Sequence, residues 1–117
     1  MRTNLYVMGA GSFKVNDQFM KIGITTRDVV ERMRKLQTGC PFKITPLAFC
    51  SLNTEDAVRL EKHIHSRLAK FKINGEWFLM NDESEQLTKD ILVEISIKHE
   101  VPLLGWPERK KGILINP

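Results

Sequence analysis

Two short apolar segments near the N-terminus constrain the fold of this 117-residue chain more than any other feature. They span 4–8 (Asn-Leu-Tyr-Val-Met) and 19–25 (Phe-Met-Lys-Ile-Gly-Ile-Thr), and only the polar, Gly-containing stretch 9–18 separates them. Parallel strands need a crossover of about a dozen or more residues, usually a helix, whereas antiparallel neighbours need only a loop. The two segments are therefore predicted to form a β-hairpin with a long loop.

A helix and a strand are predicted next along the chain. Asp28 and Glu31 have the spacing of a capping box, which opens a helix over about 27–38. The segment 44–52 is rich in apolar residues but is interrupted by Pro46, which cannot donate a hydrogen bond to a neighbouring strand. This segment is therefore predicted to be an edge strand.

Two more helices complete the predicted elements. The second helix begins near Asn53, with acidic residues in its first turn, and ends before Asn74. Asp82 and Glu85 form another potential capping box, which opens a third helix that ends before Pro102. The order of elements predicts a small sheet covered by helices.

Composition restricts the class of protein. An apolar share of 42% and a charged share of 27% are typical of one globular domain rather than a disordered chain. No apolar run approaches the ~20 residues that a membrane-spanning helix needs, so no membrane association is expected. Two cysteines, Cys40 and Cys50, are too few for a disulfide framework and are expected to be free thiols in an intracellular protein.

The net charge of +4 is unevenly distributed. Residues 21–72 contain 11 Lys and Arg against 5 Asp and Glu, a balance of +6, whereas residues 73–117 contain 5 against 8, a balance of −3. Such segregation predicts that the middle of the chain faces a polyanion.

Glu61 does not fit the apolar pattern of its own helix. With Ala57 as zero and about 100° per residue, the apolar stripe of the second helix is centred near 0°, and Glu61 falls at about 40°. The stripe consists of Ala57, Leu60, Ile64, Leu68 and Phe71. Burial of an unpaired carboxylate costs several kcal/mol, so Glu61 must meet a cation, a metal ion or hydrogen-bond donors, or lie in a cleft. An ion pair with an Arg or Lys at the edge of the core is the structural alternative.

Three other side chains are candidates for the same site. His65 lies four residues after Glu61 and shares its side of the helix, whereas His63 lies on the far side. Arg32 is on the flank of the first helix's apolar stripe, and Tyr6 is in the first strand. Each has an ordinary alternative: a helix-surface histidine, an arginine whose stem covers apolar surface, and a tyrosine that covers one sheet face.

Five ordered segments of the chain together resemble the GIY-YIG nuclease superfamily. Asn-Leu-Tyr at 4–6 and Lys-Ile-Gly at 21–23 stand at the places of its two triplets, and Glu-Arg-Met at 31–33 resembles its arginine motif. Leu-Glu-Lys at 60–62 resembles the helix with the metal-binding glutamate, and Gly-Glu-Trp-Phe at 75–78 follows. The sequences of these motifs are most similar to those of a short branch of the superfamily, of the meiotically-up-regulated-gene type, which is common in phage and bacterial genomes.

The resemblance implies a metal-dependent endonuclease that hydrolyses phosphodiester bonds, with DNA as the expected substrate. Glu61 would hold one Mg²⁺ or Mn²⁺, and Arg32 would clamp the scissile phosphate. Tyr6 would orient or deprotonate the attacking water, for which Lys21 would lower its pKa. The superfamily usually has a tyrosine at the place of Lys21, although some members carry lysine there. His65 would be a supporting partner or a proton carrier.

The same resemblance guides the expected architecture and partners. It covers residues 4–80, so we expect a catalytic core over 1–80 and a C-terminal helix and tail over 81–117, packed on the same domain. The expected fold is α/β of the α+β kind, with a small, mainly antiparallel sheet of three to four strands flanked by helices. The cytoplasm, or that of an infected host cell, is the expected location, and a homodimer is expected if both strands of a duplex are cut. Phosphate contacts are expected from Arg34, Lys35, Lys43, Lys62, Arg67 and Lys70.

Segment 75–78 is predicted to form the last strand, with Trp77 and Phe78 as packing residues and Glu76 able to approach the site.

Two other functions stay open at this point. The first is a nucleic-acid-binding module that keeps the fold but does not cleave, because Lys21 replaces the usual tyrosine. The second is a zinc-stabilised interaction domain that uses Cys40, Cys50, His63 and His65. The zinc alternative is disfavoured because the two histidines lie about 200° apart on one helix and no Cys-x-x-Cys pair is present.

Overall fold

The computed structural model describes residues 1–11 and 18–106. The loop between the first two strands and the tail after Trp106, which the sequence analysis assigns to the same domain, lie outside this range. The described residues form six strands and three α-helices. In chain order these are β1 (Arg2–Gly11), β2 (Phe19–Thr25), α1 (Val29–Gln37), β3 (Lys43–Asn53), α2 (Thr54–Arg67), β4 (Lys72–Asn74), β5 (Trp77–Leu79), α3 (Asp82–His99) and β6 (Leu104–Gly105), with a 3₁₀ turn at Ala69–Phe71 before β4.

The strands form one sheet in the order β4-β5-β2-β1-β3-β6, in which every neighbouring pair is antiparallel. The predicted α+β class and the hairpin of β1 and β2 are confirmed. The expected number of three to four strands is too low, because β4, β5 and β6 have only two or three residues each and show no alternation in sequence.

The edge-strand prediction for β3 is wrong. β1 pairs with β3 along its whole length, and β6 covers the other side of β3 at Ala48 and Phe49. Pro46 is accommodated beside a register shift between Val7 and Met8, where the ladder is irregular. The strand predicted over 75–78 is present as β5, but it is not the last strand, since β6 follows α3.

The sheet is covered on both faces. Alternate residues of the central strands, such as Leu5 of β1 and Ile22 of β2, pack with the apolar stripes of α2 and α3 in the larger core. The intervening residues, such as Tyr6 and Met8, face the opposite way and pack with α1 in a smaller core. Central strands buried on both faces explain why the first apolar segment shows little polar alternation.

The helix ends follow local capping chemistry. Asp28 caps α1 by accepting hydrogen bonds from the backbone N–H groups of Val30 and Glu31. The capping box of α3 consists of Asn81 and Ser84 rather than Asp82 and Glu85, so this predicted motif is displaced by one residue. In the described part of the chain, no helix is long and apolar enough to cross a membrane.

Candidate active site

Tyr6 lies in β1 on the face of the smaller core and is 1% exposed. Its hydroxyl oxygen is buried and makes no hydrogen bond of good geometry with a described residue. The Arg32 guanidinium of α1 is nevertheless close enough to favour the ionised form of this hydroxyl and so to lower its pKa. Burial raises the pKa of Tyr6 above its ordinary value of 10.0, and the Glu76 carboxylate adds to this rise, which Arg32 opposes without reversing it. Tyr6 is therefore protonated at neutral pH and is a hydrogen-bond donor.

Lys21 does not have the expected effect on Tyr6. Its side chain is 10% exposed, and its ammonium lies 2.8 Å from Oε1 of Glu76. It also lies 5.6 Å from the centre of the Trp77 ring. The expectation that Lys21 lowers the pKa of Tyr6 is wrong, because Lys21 is paired with Glu76 and the pKa of Tyr6 is raised.

Glu76 sits in the turn between β4 and β5, and its backbone carbonyl accepts a hydrogen bond from the N–H of Ile22 at 3.1 Å. Burial on its own would raise the pKa of this carboxyl. The hydrogen bond and charge of Lys21 outweigh burial, so the pKa of Glu76 is below its ordinary value. Glu76 is thus the ionised member of a pair of carboxyl groups.

Glu61 of α2 is the other member of this pair. Its Oε2 atom is buried and has no hydrogen-bond partner among the described residues. Burial and then the nearby Glu76 carboxylate raise the pKa of Glu61 to about 7, against the weaker opposing charges of Lys21 and Lys62. The alternative of an ion pair at the core edge does not apply, because the buried lysine pairs with Glu76 instead.

Gly23 of β2 permits these groups to meet. A Cβ atom at this position would lie 2.7 Å from the Tyr6 hydroxyl oxygen and 2.8 Å from Oε1 of Glu76. A carbon and an oxygen atom cannot lie this close together unless one of them moves. The absence of a side chain on Gly23 therefore brings the phenol and the carboxylate together over β2.

His65 fastens α2 to the sheet beside this cluster. Its Nε2 lies 2.8 Å from the carbonyl oxygen of Ile22, and because a carbonyl only accepts, Nε2–H is the donor. The ring also packs edge-on against Phe78, with 4.9 Å between ring centres. The pairing of β2 with β5 ends at Lys21. His65 therefore donates its hydrogen bond to the carbonyl of Ile22, which lies just beyond the end of that pairing. This geometry favours a supporting role for His65 over proton transfer.

The structure brings Tyr6, Lys21, Arg32 and Glu61 together through the contacts and charge interactions above, and His65 adjoins them. The six residues expected to contact phosphate, Arg34, Lys35, Lys43, Lys62, Arg67 and Lys70, are all exposed. They differ in their surroundings. The positive charge of Lys62 lowers the pKa of Glu61 slightly. Lys70 instead pairs with Glu83 at 2.6 Å and lies over the Phe71 ring.

Gly23 belongs to the second triplet of the resemblance, but its sequence position alone implied no contact with Tyr6, and Glu76 was expected only to approach the site. The signal for Gly23 was its place between two β-forming isoleucines, Ile22 and Ile24, where glycine often marks a close approach by another group. The contact of Glu76 with Lys21 has no sequence signal, because it depends on a turn between two strands of three residues each.

The two carboxyl groups of this cluster could bind one hard cation that keeps some of its waters, but they do not form a complete cage of protein ligands. No group of three or more His, Cys, Asp or Glu side chains with metal-binding geometry occurs within residues 1–11 and 18–106. Glu61 and Glu76 form a pair of carboxyls, and one buried oxygen of Glu61 lacks a partner. Mg²⁺ is commonly held by one or two carboxylates while it keeps several waters, so Glu61 and Glu76 are the residues that could hold such an ion.

The zinc alternative is not compatible with the fold. Cys50 lies in the larger core, whereas Cys40 packs against the smaller core on the opposite face of the sheet. The two thiols therefore cannot share one tetrahedral site with His63 and His65.

Fold and cluster define a small antiparallel α+β domain with a half-buried group of acidic, basic and phenolic side chains beside its sheet. Within that class, the chain belongs to the T5orf172 domain family, whose model matches residues 5–96. This domain is phage-associated and related to nuclease-like folds. No curated protein and no solved structure gave a significant match.

Lys21→Met is expected to lower the free energy of unfolding by about 1–2 kcal/mol, as measured by urea denaturation at pH 7.5. The substitution keeps most of the side-chain volume but removes the cation that compensates Glu76. Lys70→Met is a matched control, because its pair with Glu83 is largely exposed, and its expected loss is below about 0.5 kcal/mol. Equal losses for the two variants would contradict the compensating role of Lys21.

Proposed function

We propose that this chain is a metal-dependent endonuclease of the GIY-YIG type that hydrolyses phosphodiester bonds in DNA. The observation that carries the proposal is the cluster over Gly23, where the Tyr6 hydroxyl and one Glu61 oxygen are buried without hydrogen-bond partners. Burial of an unsatisfied polar atom costs about 1–3 kcal/mol, so such a group in a folded protein calls for an explanation, and a catalytic role is one.

Each residue has a definite task in this proposal. The Arg32 guanidinium, beside the Tyr6 hydroxyl, would bind two oxygens of the scissile phosphate. Tyr6, protonated at neutral pH, would donate a hydrogen bond that orients the phosphate or the water, and it would not act as the base. Glu61, assisted by Glu76, would hold one Mg²⁺ or Mn²⁺. A bound divalent ion would supply Lewis-acid stabilisation of the negative charge that develops on the phosphate oxygens.

Lys21 and His65 support these groups. Lys21 keeps Glu76 ionised, so that a negative oxygen stays beside Glu61. His65 holds α2, and hence Glu61, against the backbone of β2. The exposed basic residues around the cluster would contact the DNA backbone without reading sequence. A homodimer is the simplest way for one such site per chain to cut both strands of a duplex.

A nicking assay tests the proposal. Purified protein is incubated with supercoiled plasmid, single-stranded DNA and RNA, in Mg²⁺, in Mn²⁺ and in EDTA. We expect nicking of DNA only with the divalent ion. Binding to DNA without metal-dependent cleavage would instead support the alternative of a non-catalytic binding module that keeps the fold.

Arg32→Ala is expected to reduce the cleavage rate by about 10²-fold or more, because it removes the cation aimed at the phosphate. The matched control is Arg59→Ala, which breaks only the exposed pair of Arg59 with Asp56 in α2. The control is expected to cleave at close to the wild-type rate. Wild-type cleavage by Arg32→Ala would remove Arg32 from the proposed site.

A further inference from the structure

An apolar groove lies beside the proposed site on the same face of the sheet. It has a volume of about 490 Å³ and runs between the α1–β3 connection and the β4–β5 hairpin. Its walls are predominantly aromatic and aliphatic, and its described lining has no Asp, Glu, Lys or Arg side chain. The lining includes Phe19, Leu36, Cys40, Phe42, Ile73 and Trp77.

Three aromatic rings, of Phe19, Phe42 and Trp77, line the groove, and part of its lining is open to solvent. Phe19 and Phe42 are in contact, with ring centres 5.7 Å apart and planes inclined by 57°. Phe42 is 38% exposed and Ile73 is 52% exposed. Exposed apolar groups that line a concave surface are typical of a binding site.

Trp77 joins the groove to the proposed site. It lines the groove, it is paired with Lys21 in the β2–β5 ladder, and its ring faces the Lys21 ammonium at 5.6 Å. Lys21 in turn contacts Glu76. A ligand in the groove is therefore separated from the carboxylate pair by one tryptophan and one lysine.

The charge around the groove selects the kind of ligand. Its two walls come from residues 36–42 and from Ile73, Asn74 and Trp77, and none of these lining residues is acidic. Lys35, Lys43 and Lys72 directly flank the two walls in the sequence. An apolar groove that contains aromatic rings and is flanked by basic residues suits a ligand with a flat apolar part and an anionic part.

We propose that this groove binds an unstacked nucleobase of the strand that is cut, so that the enzyme acts on nucleic acid with an unpaired nucleotide close to the scissile phosphate. This inference rests on the proposed function, since it places the base next to the proposed phosphate site. A nucleobase has two aromatic faces for Phe42 and Trp77, and its phosphates meet the surrounding Lys and Arg side chains. Bases within a duplex are stacked on each other and cannot enter the groove.

The test measures binding in EDTA, so that cleavage does not contribute. In a Trp106→Phe protein the fluorescence reports on Trp77 alone, because the chain has two tryptophans. The probes are oligothymidylate, an abasic oligomer of the same length and charge, and a duplex. We expect oligothymidylate to quench Trp77 and to bind about tenfold more tightly than the abasic oligomer, as stacking of one or two bases provides.

Phe42→Ala is expected to weaken binding of oligothymidylate by about five- to tenfold and to leave binding of the abasic oligomer unchanged. Ile97→Ala is the matched control, since Ile97 is an exposed apolar residue of α3, which covers the opposite face of the sheet. The control is expected to bind all probes as the parent does. Equal weakening of both oligomers by Phe42→Ala, or no weakening of either, would overturn the proposal.

Cys40 offers a second measurement that needs no substitution. Cys40 is partly exposed in the groove, whereas Cys50 is buried and its pKa is raised to about 11 by that burial. A thiol reagent at pH 7.5 should therefore modify Cys40 first. Oligothymidylate should slow this modification several-fold and the abasic oligomer should not, and equal protection by both would contradict a base in the groove.

These results separate the groove from the nuclease. Selective loss of base binding in Phe42→Ala, together with no metal-dependent cleavage by the wild type, would support the groove and reject the proposed function. Metal-dependent cleavage that does not depend on the unpaired base, with no effect of Phe42→Ala, would support the nuclease and reject the groove.

Discussion

Glu61→Gln is expected to reduce DNA cleavage by at least about 10²- to 10³-fold and, in the same protein without metal, to increase the stability of the fold. The loss of cleavage follows if Glu61 holds the divalent ion, because an amide oxygen binds Mg²⁺ far more weakly than a carboxylate does. The gain in stability follows from the two carboxyl groups. Glu61 lies half-buried beside Glu76, with one oxygen unpartnered, and glutamine keeps its shape without the charge.

The direction of the expected change in stability follows from the pKa values of the two carboxyl groups. The pKa of Glu61 rises from its ordinary 4.5 to about 7 on folding, so the folded chain binds this proton more tightly than the unfolded chain does. Stability therefore falls as pH rises through this window, and the whole cost is present above about pH 7. The pKa of Glu76 is lowered, so its favourable contribution is lost only as pH falls below its ordinary range.

Denaturation in EDTA at pH 4.5, 6 and 8 measures the effect. We expect Glu61→Gln to exceed the wild type by about 1–2 kcal/mol at pH 8, after allowance for the solvent-accessible part of the side chain, and to match it near pH 4.5. Mn²⁺ should raise the melting temperature of the wild type and leave that of Glu61→Gln unchanged.

The matched control is Glu55→Gln, the same chemical change at an exposed position in the first turn of the same helix. It removes a carboxylate that favours the helix N-terminus, so a loss of up to about 1 kcal/mol is expected, with cleavage unchanged. A Glu61→Gln protein that cleaves at the wild-type rate would remove Glu61 from the site. One that is destabilised at pH 8 would show that the two carboxyls do not oppose folding.

The parts of the fold that were predictable have strong local signals. The hairpin of β1 and β2 follows from apolar segments of five and seven residues, 4–8 and 19–25, with a short separation, and α1, α2 and α3 follow from apolar periodicity and caps. The prediction of a strand over 75–78 found β5, whereas β4 and β6 could not be predicted, because a strand of two or three residues is formed by its neighbours rather than by its own propensity. The displaced capping box of α3 shows the usual uncertainty of helix ends, since Asn81 and Asp82 are both good caps.

The candidate site divides in a similar way. Glu61 stood out because one charged residue interrupted an apolar stripe, and Tyr6 and Arg32 were identified through the order of motifs. The link between Lys21 and Glu76 joins positions 55 residues apart, and no periodicity reports such a contact. Electrostatic consequences were less predictable still. The prediction that Lys21 lowers the pKa of Tyr6 is wrong because Lys21 forms an ion pair with a third group, Glu76.

Gly23→Ala is expected to reduce cleavage by about 10²-fold while the protein still folds. The backbone of Gly23 does not require glycine, because its φ lies outside the left-handed region. The added methyl group would instead meet the Tyr6 hydroxyl oxygen at 2.7 Å and Oε1 of Glu76 at 2.8 Å. The core holds the Tyr6 ring and Lys21 holds Glu76, so the methyl group fits only if one of the two groups moves, which costs some stability and displaces that group from the position that the chemistry needs.

Gly105→Ala separates this effect from a general loss of stability. Gly105 has a φ of +89°, and a Cβ atom there would clash with the backbone carbonyl of Leu47, so alanine is strained on both counts. Gly105 lies in β6 at the far edge of the sheet from β5, and its variant should lose stability but cleave normally at low temperature. Gly23→Ala should instead show little cleavage even at a low temperature at which it is fully folded. If Gly23→Ala instead cleaves normally, the phenol and the carboxylate need not meet over β2, and the arrangement of Tyr6 with Glu76 would be incidental to the reaction.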